Sequence, residues 1–414
     1  MNPKAAAERV QSLDISLNGL AVGTLVRTPG DYNAFNLSAS YRAMKDPPVF
    51  SLSLRAEGGG LRKDPKPVRG ALPPFFANLL PEDKLREAME KHHAGFVRPG
   101  NDFDLLAALG TNLPGAVRAL PSDGSAAPAG AALPGKGKAR FSLAGVQMKL
   151  SVMKNAGKEG GVTLAVDDGQ GQYIAKFPSL THIGLSENEF AILALAEALG
   201  MEVPARELVE KTDFDGIPEE FNTLSTGKVL LVRRFDRGPD GARIHMEDFA
   251  QVFGRYPAEK YTGAGYHNIA IVLNTALSYD AAIEFVRRLA FTAMTGNGDM
   301  HLKNWSLLYP GDGRSPALAP VYDVLSTVPY LPKDEMALSL AGAKSFKSLT
   351  PDRWRNFANR SRLPEGAVAT AVAETATSIH DKWFDLSERD VVPASVLEHI
   401  DGHIDAMASI LDPS

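Results

Sequence analysis

Apolar and polar positions alternate through the first part of the chain. In "LDISLNGLAVGTLVR" (13–27) the alternation runs on both sides of Asn18-Gly19, a pair that favours a tight hairpin, so the stretch predicts two strands. "PVFSLSLR" (48–55) alternates in the same way and predicts a third. "LPPFFANLLPEDKLREAMEKHHAG" (72–95) predicts a helix after a proline-rich approach. "NDFDLLAALGTNLPGAVRAL" (101–120) predicts a short helix, a glycine stop and a strand. Residues 121–138, "PSDGSAAPAGAALPGKGK", carry no large apolar residue except Leu133 and predict an exposed linker.

Beyond that stretch the pattern changes. "RFSLAGVQMKLSVMKN" (140–155) predicts a strand, a loop of small residues and a second strand. "QYIAKFPS" (172–179) is a β-like run with Lys176 inside it. "GLSENEFAILALAEALG" (184–200) is the strongest helix pattern, with Phe190, Leu193, Ala196 and Leu199 on one face. Ser186 and Glu189 have capping-box spacing at its start, which accounts for Glu189 structurally; an ion pair with Lys176 is the competing role. "ARELVE" and "GKVLLVRRFDR" predict strands, and from about Met246 the chain reads as helical apart from residues 305–325. The expected organisation is α+β: residues 1–120 a small α+β subdomain, 121–138 a linker, 139–237 a β-rich lobe and 238–414 a helical lobe. A cleft between two lobes is a common ligand site.

Composition narrows the classes. At 414 residues, 44% hydrophobic and 22% charged, the chain can bury more than one core. A net charge of −5, from 44 Lys and Arg against 49 Asp and Glu, argues against a dedicated nucleic-acid binder. The absence of cysteine excludes disulfides, thiolate metal sites and cysteine nucleophiles, and suits a reducing compartment such as the cytoplasm. "MNPKAAAERVQSLD" lacks the apolar run of a signal peptide, and no apolar run reaches the ~18 residues of a membrane span.

The densest chemistry lies in "TGNGDMHLKNWSLLY" (295–309). An apolar helix (280–296) ends there at a glycine, and "NWSLLY", the turn "PGDGRSP" and "ALAPVYD" predict a hairpin that ends at Asp323. A hairpin brings its ends together, so Asn304 and Asp323 converge, with Asp299 five residues before Asn304. Protein kinases place a catalytic-loop Asp five positions before an Asn, with a metal-binding Asp beyond. By role Asp299 is then the base, Asn304 and Asp323 hold Mg²⁺ through oxygen, and His301 or Lys303 reaches phosphate. Asp and Asn also serve as plain turn or cap residues, and a lone strand lysine such as Lys176 is often only a snorkelling edge residue. In combination, Lys176 reads as the strand lysine that meets the α- and β-phosphates.

Seven segments in order, "FSLAGVQMKLSV", "YIAKFPS", "SENEFAILALAEALG", "VRRFDR", "HMEDFAQVFG", "GNGDMHLKNWSLL" and "LAPVYDVLST", give the chain a close resemblance to the HipA family of serine/threonine kinases, the toxin halves of HipBA-type toxin–antitoxin pairs. The resemblance implies a bilobal protein-kinase-like fold with a β-rich N-terminal region and an all-α C-terminal lobe. It implies ATP and Mg²⁺, with Asp299 catalytic, Asn304 and Asp323 on the metal, and Lys176 on ATP. It puts the phosphate loop at "SLAGVQMK", with Ala144, Gly145, Val146, Gln147 and Lys149, and a self-phosphorylated serine at Ser142. It puts the adenine hinge at Arg233, Arg234 and Phe235, the ribose at Asp236, and further nucleotide contacts at His301, Lys303 and Tyr322. Taken alone, one glycine in that loop reads as a turn and Ser142 as one serine among many.

The implied partners are a HipB-like helix-turn-helix antitoxin, operator DNA mainly through that antitoxin, and a protein substrate such as an aminoacyl-tRNA synthetase. Three positions depart from the family pattern: Arg233 where Glu occurs, Met246 where Gln is common, and Met300 in "GNGDMH" where the family carries "GNTDAH" or "GATDGH". None touches Asp299, Asn304 or Asp323, so activity is expected to survive.

Two other function classes compete. One is a co-repressor acting chiefly by binding the antitoxin. The other is a metal-dependent phosphoesterase built on Asp299, His301 and Asp323, which leaves Lys176 unexplained. His92-His93 and His399/His403 read as surface histidines rather than metal pairs. In "WRNFANRSR" (354–362) Trp354 and Phe357 are expected to pack inward beneath a basic face.

Overall fold

The computed structural model describes residues 10–123, 149–154, 162–164, 171–179, 181–215, 227–238 and 241–411. The N-terminal unit is built on a five-stranded antiparallel sheet: β1 (Ser12–Leu17), β2 (Leu20–Thr28), β3 (Tyr32–Leu37), β4 (Val68–Arg69) and β5 (Val117–Pro121), in the order β4-β3-β2-β1-β5. Asn18 and Gly19 both have positive φ, 48° and 82°, as the tight β1–β2 turn requires. Leu13, Ile15 and Leu17 point into a core closed by α1 (Asp83–His92) and α2 (Asp102–Leu109).

Two local expectations fail here. "PVFSLSLR" is not a strand: residues Leu52–Leu54 form a 3₁₀ turn, capped where Ser51 Oγ accepts from Ser53 N at 3.2 Å. Ser51 Oγ and the Leu52 amide donate to the buried Glu247 carboxylate of the helical lobe at 2.6 and 2.9 Å, so the segment turns towards the other unit. The long helix over 72–95 is split into Pro74–Ala77 and α1, because Pro81 has no amide hydrogen to continue the ladder. Of the linker, Pro121 belongs to β5 and residues 124–138 lie outside the described residues.

The second sheet has six strands: β6 (Lys149–Lys154), β7 (Val162–Leu164), β8 (Tyr173–Lys176), β9 (Arg206–Val209), β10 (Phe214–Asp215) and β11 (Val229–Arg233), in the order β10-β7-β6-β8-β11-β9. Helix α3 (Leu185–Ala198) follows β8 and packs on β9 and β11. Its residues Ala191, Ile192, Leu193 and Leu195 join a large core with α4 (Tyr266–Ala276), α5 (Tyr279–Thr295), α6 (Pro351–Ser361), α7 (Glu365–Trp383) and α8 (Ala394–Leu411). Trp354 and Phe357 of α6 are buried in that core. The helical lobe also carries a three-stranded antiparallel sheet, β12 (His245–Asp248), β13 (Ser306–Tyr309) and β14 (Ala317–Leu318). Because β14 has only two residues, Asp323 lies beyond the hairpin in irregular chain, at φ 56°. Among the described residues no helix is long and apolar enough to cross a membrane.

Candidate active site between the two lobes

β6 and β8 are antiparallel neighbours, and their register sets Lys149 directly opposite Lys176. Residues paired in this way face the same side of a sheet. Both ammonium groups converge on Asp323 from the helical lobe: Lys149 Nζ at 2.6 and 2.7 Å from its two oxygens, Lys176 Nζ at 2.5 Å from Oδ1. Behind Lys176 lies Glu189 of α3, which accepts a second short bond from the same ammonium. Lys176 and Glu189 are buried; the Asp323 side chain is about a quarter exposed.

The capping box proposed for Ser186 and Glu189 does not form. Gly184 is the N-cap, Ser186 lies inside the helix with its hydroxyl on the Lys176 carbonyl (3.4 Å), and Glu189 is free to meet the lysine. Burial opposes the charge on Lys176, but Asp323 and then Glu189 outweigh it, so the ammonium is held more basic than usual. Burial would likewise raise Asp323, yet Lys149 and Lys176 hold it well below the ordinary carboxylate range.

The loop that carries Asp299 is fixed by its own backbone. α5 starts where Ser278 Oγ caps the Ala281 amide at 3.1 Å, and ends at Gly296 with φ 69°. The Gly298 amide donates to Thr327 Oγ1 at 2.8 Å, and the Asp299 amide to Asn297 Oδ1 at 2.9 Å. The carbonyl of Asp299 accepts from Asn304 Nδ2 at 2.8 Å, which ties the two ends of the motif together. Met300, which departs from the family pattern, has its side chain buried in the large core, and its carbonyl accepts from Tyr266 Oη (3.1 Å) and Trp305 Nε1 (3.2 Å). Those bonds hold the loop from below and leave Asp299 exposed above. Surrounding protein raises its pKa, the Tyr261 hydroxyl opposes this by donating to Oδ1 at 2.6 Å, and Asp323 raises it again.

The other expected site residues make contacts of their own. His301 is buried and neutral, lowered to about 4 by burial and then by Lys260. Lys303 pairs with Glu82 of the N-terminal unit, so its ammonium is already engaged. Tyr322 packs its ring against Phe235 at 5.2 Å and donates to the Lys303 carbonyl at 2.8 Å, bridging the hinge segment to the loop. Arg233 is exposed, and the amides of Arg233 and Arg234 are bonded to the Ala205 and Gln172 carbonyls, both at 2.8 Å. Asp236, expected at the ribose, is buried and accepts from Arg234 (2.6 and 2.9 Å), Arg237 (2.7 Å) and the Gly115 amide (2.9 Å). That carboxylate joins the lobe to the N-terminal unit. Met246 lies at the same joint, its amide 2.8 Å from where a Gly115 side chain would begin. Ser142, Ala144, Gly145, Val146 and Gln147 lie outside the described residues.

The donor set suits a hard divalent cation. Asn304 Nδ2 is committed to Asp299, so Oδ1 is the atom available to a metal. The two ammonium groups on Asp323 carry the same charge as one such cation. Of the two histidine pairs, His92 and His93 meet edge to face, while His399 and His403 bond to the Ser395 and Ala293 carbonyls. Sequence reasoning missed Glu82, Lys260 and Tyr261. No motif marks them, because they reach the loop only through tertiary contact.

Comparison with known proteins shows the family and the fold. Residues 13–120 match the family model of the HipA N-terminal domain, and residues 141–383 that of the HipA-like C-terminal domain. Y4dM of Sinorhizobium fredii, described only provisionally as a kinase, is 41% identical over 400 residues, covering 95% of this chain and 97% of its own length. The serine/threonine-protein kinase toxin HipA of Shewanella oneidensis is 29% identical over 296 residues, 62% of this chain and 63% of its own. The fold superposes on a chain in the Shewanella oneidensis complex of HipA, HipB and operator DNA with a TM-score of 0.73, 23% identity and 96% coverage of both chains.

Proposed function

Since the chain belongs to the HipA family, we propose that it is a Mg-ATP-dependent protein serine/threonine kinase and the toxin of a toxin–antitoxin pair. The observation that carries the reading is the meeting of Lys149, Lys176 and Glu189 from one lobe with Asp323 from the other, beside a loop that ties Asp299 to Asn304.

In this reaction the oxygen of a seryl hydroxyl attacks the γ-phosphorus of ATP, the bond to the bridging oxygen breaks, and ADP leaves. Asp299 takes the hydroxyl proton. Lys149 and Lys176 shift from Asp323 to phosphate oxygens, while Glu189 keeps Lys176 in place. Asp323 and Asn304 Oδ1 would hold Mg²⁺, which supplies charge neutralisation on the phosphates. A phosphoesterase would leave the Lys176–Glu189 pair without a role. On the family premise, phosphorylation of Ser142 would switch the enzyme off by placing about two negative charges in a loop built for ATP phosphates.

The partner reading belongs to the same proposal. A HipB-like antitoxin would supply most DNA contacts, since this chain has a net charge of −5. The protein substrate would be a translation component such as an aminoacyl-tRNA synthetase. The test is transfer from radiolabelled ATP to the chain itself and to casein, with the unsubstituted chain and Asp299→Gln. Loss of the base should lower the rate about 100-fold or more. Equal transfer by both would refute the mechanism.

A further inference from the structure

We infer that Tyr261 is the positioning residue for the Asp299 carboxylate: its hydroxyl holds Oδ1 at 2.6 Å, so that Oδ2 is the oxygen turned to the incoming hydroxyl. The inference rests on the kinase reading above and goes beyond it. A carboxylate on an exposed loop has two equivalent oxygens and a free χ2 rotation. Here the backbone of Asp299 is fixed at both its amide and its carbonyl, and the tyrosine removes the remaining rotation. Oδ2 accepts no hydrogen bond from the described residues. A base is effective only when its lone pair lies within hydrogen-bond reach of the proton it takes.

The tyrosine is itself held in place. The 3₁₀ turn Pro257–Glu259 is closed by the Tyr256 amide on Glu259 Oε2 at 2.9 Å. The Lys260 carbonyl accepts from the Leu302 amide at 3.1 Å, which laces the segment to the catalytic loop. Lys260 Nζ is anchored on Glu82 at 2.8 Å, and Glu82 also holds Lys303. The Tyr261 ring stands edge-on to buried His301 at 5.0 Å between centroids. Thus one carboxylate from the N-terminal unit holds both Lys260, the residue before Tyr261, and Lys303 of the loop. Surrounding protein, then the bond to Asp299 and nearby negative charge, raises the pKa of the phenol and favours its protonated, donating form.

The test is Tyr261→Phe, which removes the hydroxyl and keeps the ring on His301. Transfer from radiolabelled ATP to casein and to the chain itself is measured for the unsubstituted chain, Tyr261→Phe and Asp299→Gln. Tyr261→Phe is expected to lower kcat about tenfold and to leave KM for ATP within about twofold, because the hydroxyl acts on the base and not on nucleotide binding. An unchanged or increased kcat, with Asp299→Gln inactive, overturns the inference and leaves the kinase reading standing. A loss seen in KM for ATP with kcat retained overturns it as well. Absence of transfer by the unsubstituted chain overturns both.

Discussion

Replacing Glu189 by Gln probes the buried side of the site. The change keeps volume and shape but removes the charge against which Lys176 is buried. Removing one member of a buried ion pair costs about 3–5 kcal/mol, because the other charge stays desolvated. Lys176 keeps Asp323, whose side chain is 26% exposed and therefore partly screened, so the lower end applies, about 3 kcal/mol. In a Lys176→Met chain the arithmetic reverses: Glu189 has no ammonium to meet, and its substitution should cost about 0 to 0.5 kcal/mol. The difference is a coupling energy of about 2.5–3 kcal/mol. A chain with several cores need not unfold in one step, so the assay should be local. Hydrogen exchange of the β8 and α3 amides, measured for the four members of the cycle at pH 7, reads the opening free energy of the elements that carry the pair. Additivity within about 0.5 kcal/mol would mean that the two groups do not support each other, and the Lys176–Glu189–Asp323 chain would lose its structural basis.

Two further outcomes follow from contacts around the loop. Burial works to raise Glu82, but Lys303 and then Lys260 outweigh it and hold it at about 2 against an ordinary 4.5. A depressed carboxylate contributes stability that is complete above its unfolded pKa and is lost as pH falls through the folded one. Glu82→Gln should therefore be less stable than the unsubstituted chain by up to about 3 kcal/mol above pH 4.5, and thermal melts should show the gap closing as pH approaches 2. Gly298→Ala would place a methyl group 2.0 Å from Asp334 Oδ2, so either Asp334 or the loop must move. An ångström of displacement at Asp299 should reduce phosphate transfer by about tenfold or more, with the melting temperature as a check on folding.

The sequence was most legible where one residue decides one local event. Asn18-Gly19 marks a hairpin, and Gly296 ends α5, because both positions need left-handed backbone. The five-residue spacing of Asp299 and Asn304 is equally explicit in the sequence. What could not be read is contact between units distant in sequence. Glu189 offered two complete accounts, cap or ion pair, and only the fold of β8 beside α3 decides between them. Asp236 was legible as an acidic residue after a strand, but the bond it accepts from the Gly115 amide depends on how the N-terminal unit docks. Met300 departs from the family motif beside Asp299; in the fold its side chain is buried in the core while that of Asp299 is exposed. The same holds for Glu82, which lies 221 residues from Lys303 and yet fixes it. Local chemistry therefore nominates the residues that could act, whereas the packing of the N-terminal unit on the helical lobe decides which side chains stay free. Lys303 and Asp236 are engaged by the N-terminal unit, through Glu82 and the Gly115 amide, whereas the Asp299 carboxylate accepts its side-chain hydrogen bond from Tyr261 of its own lobe.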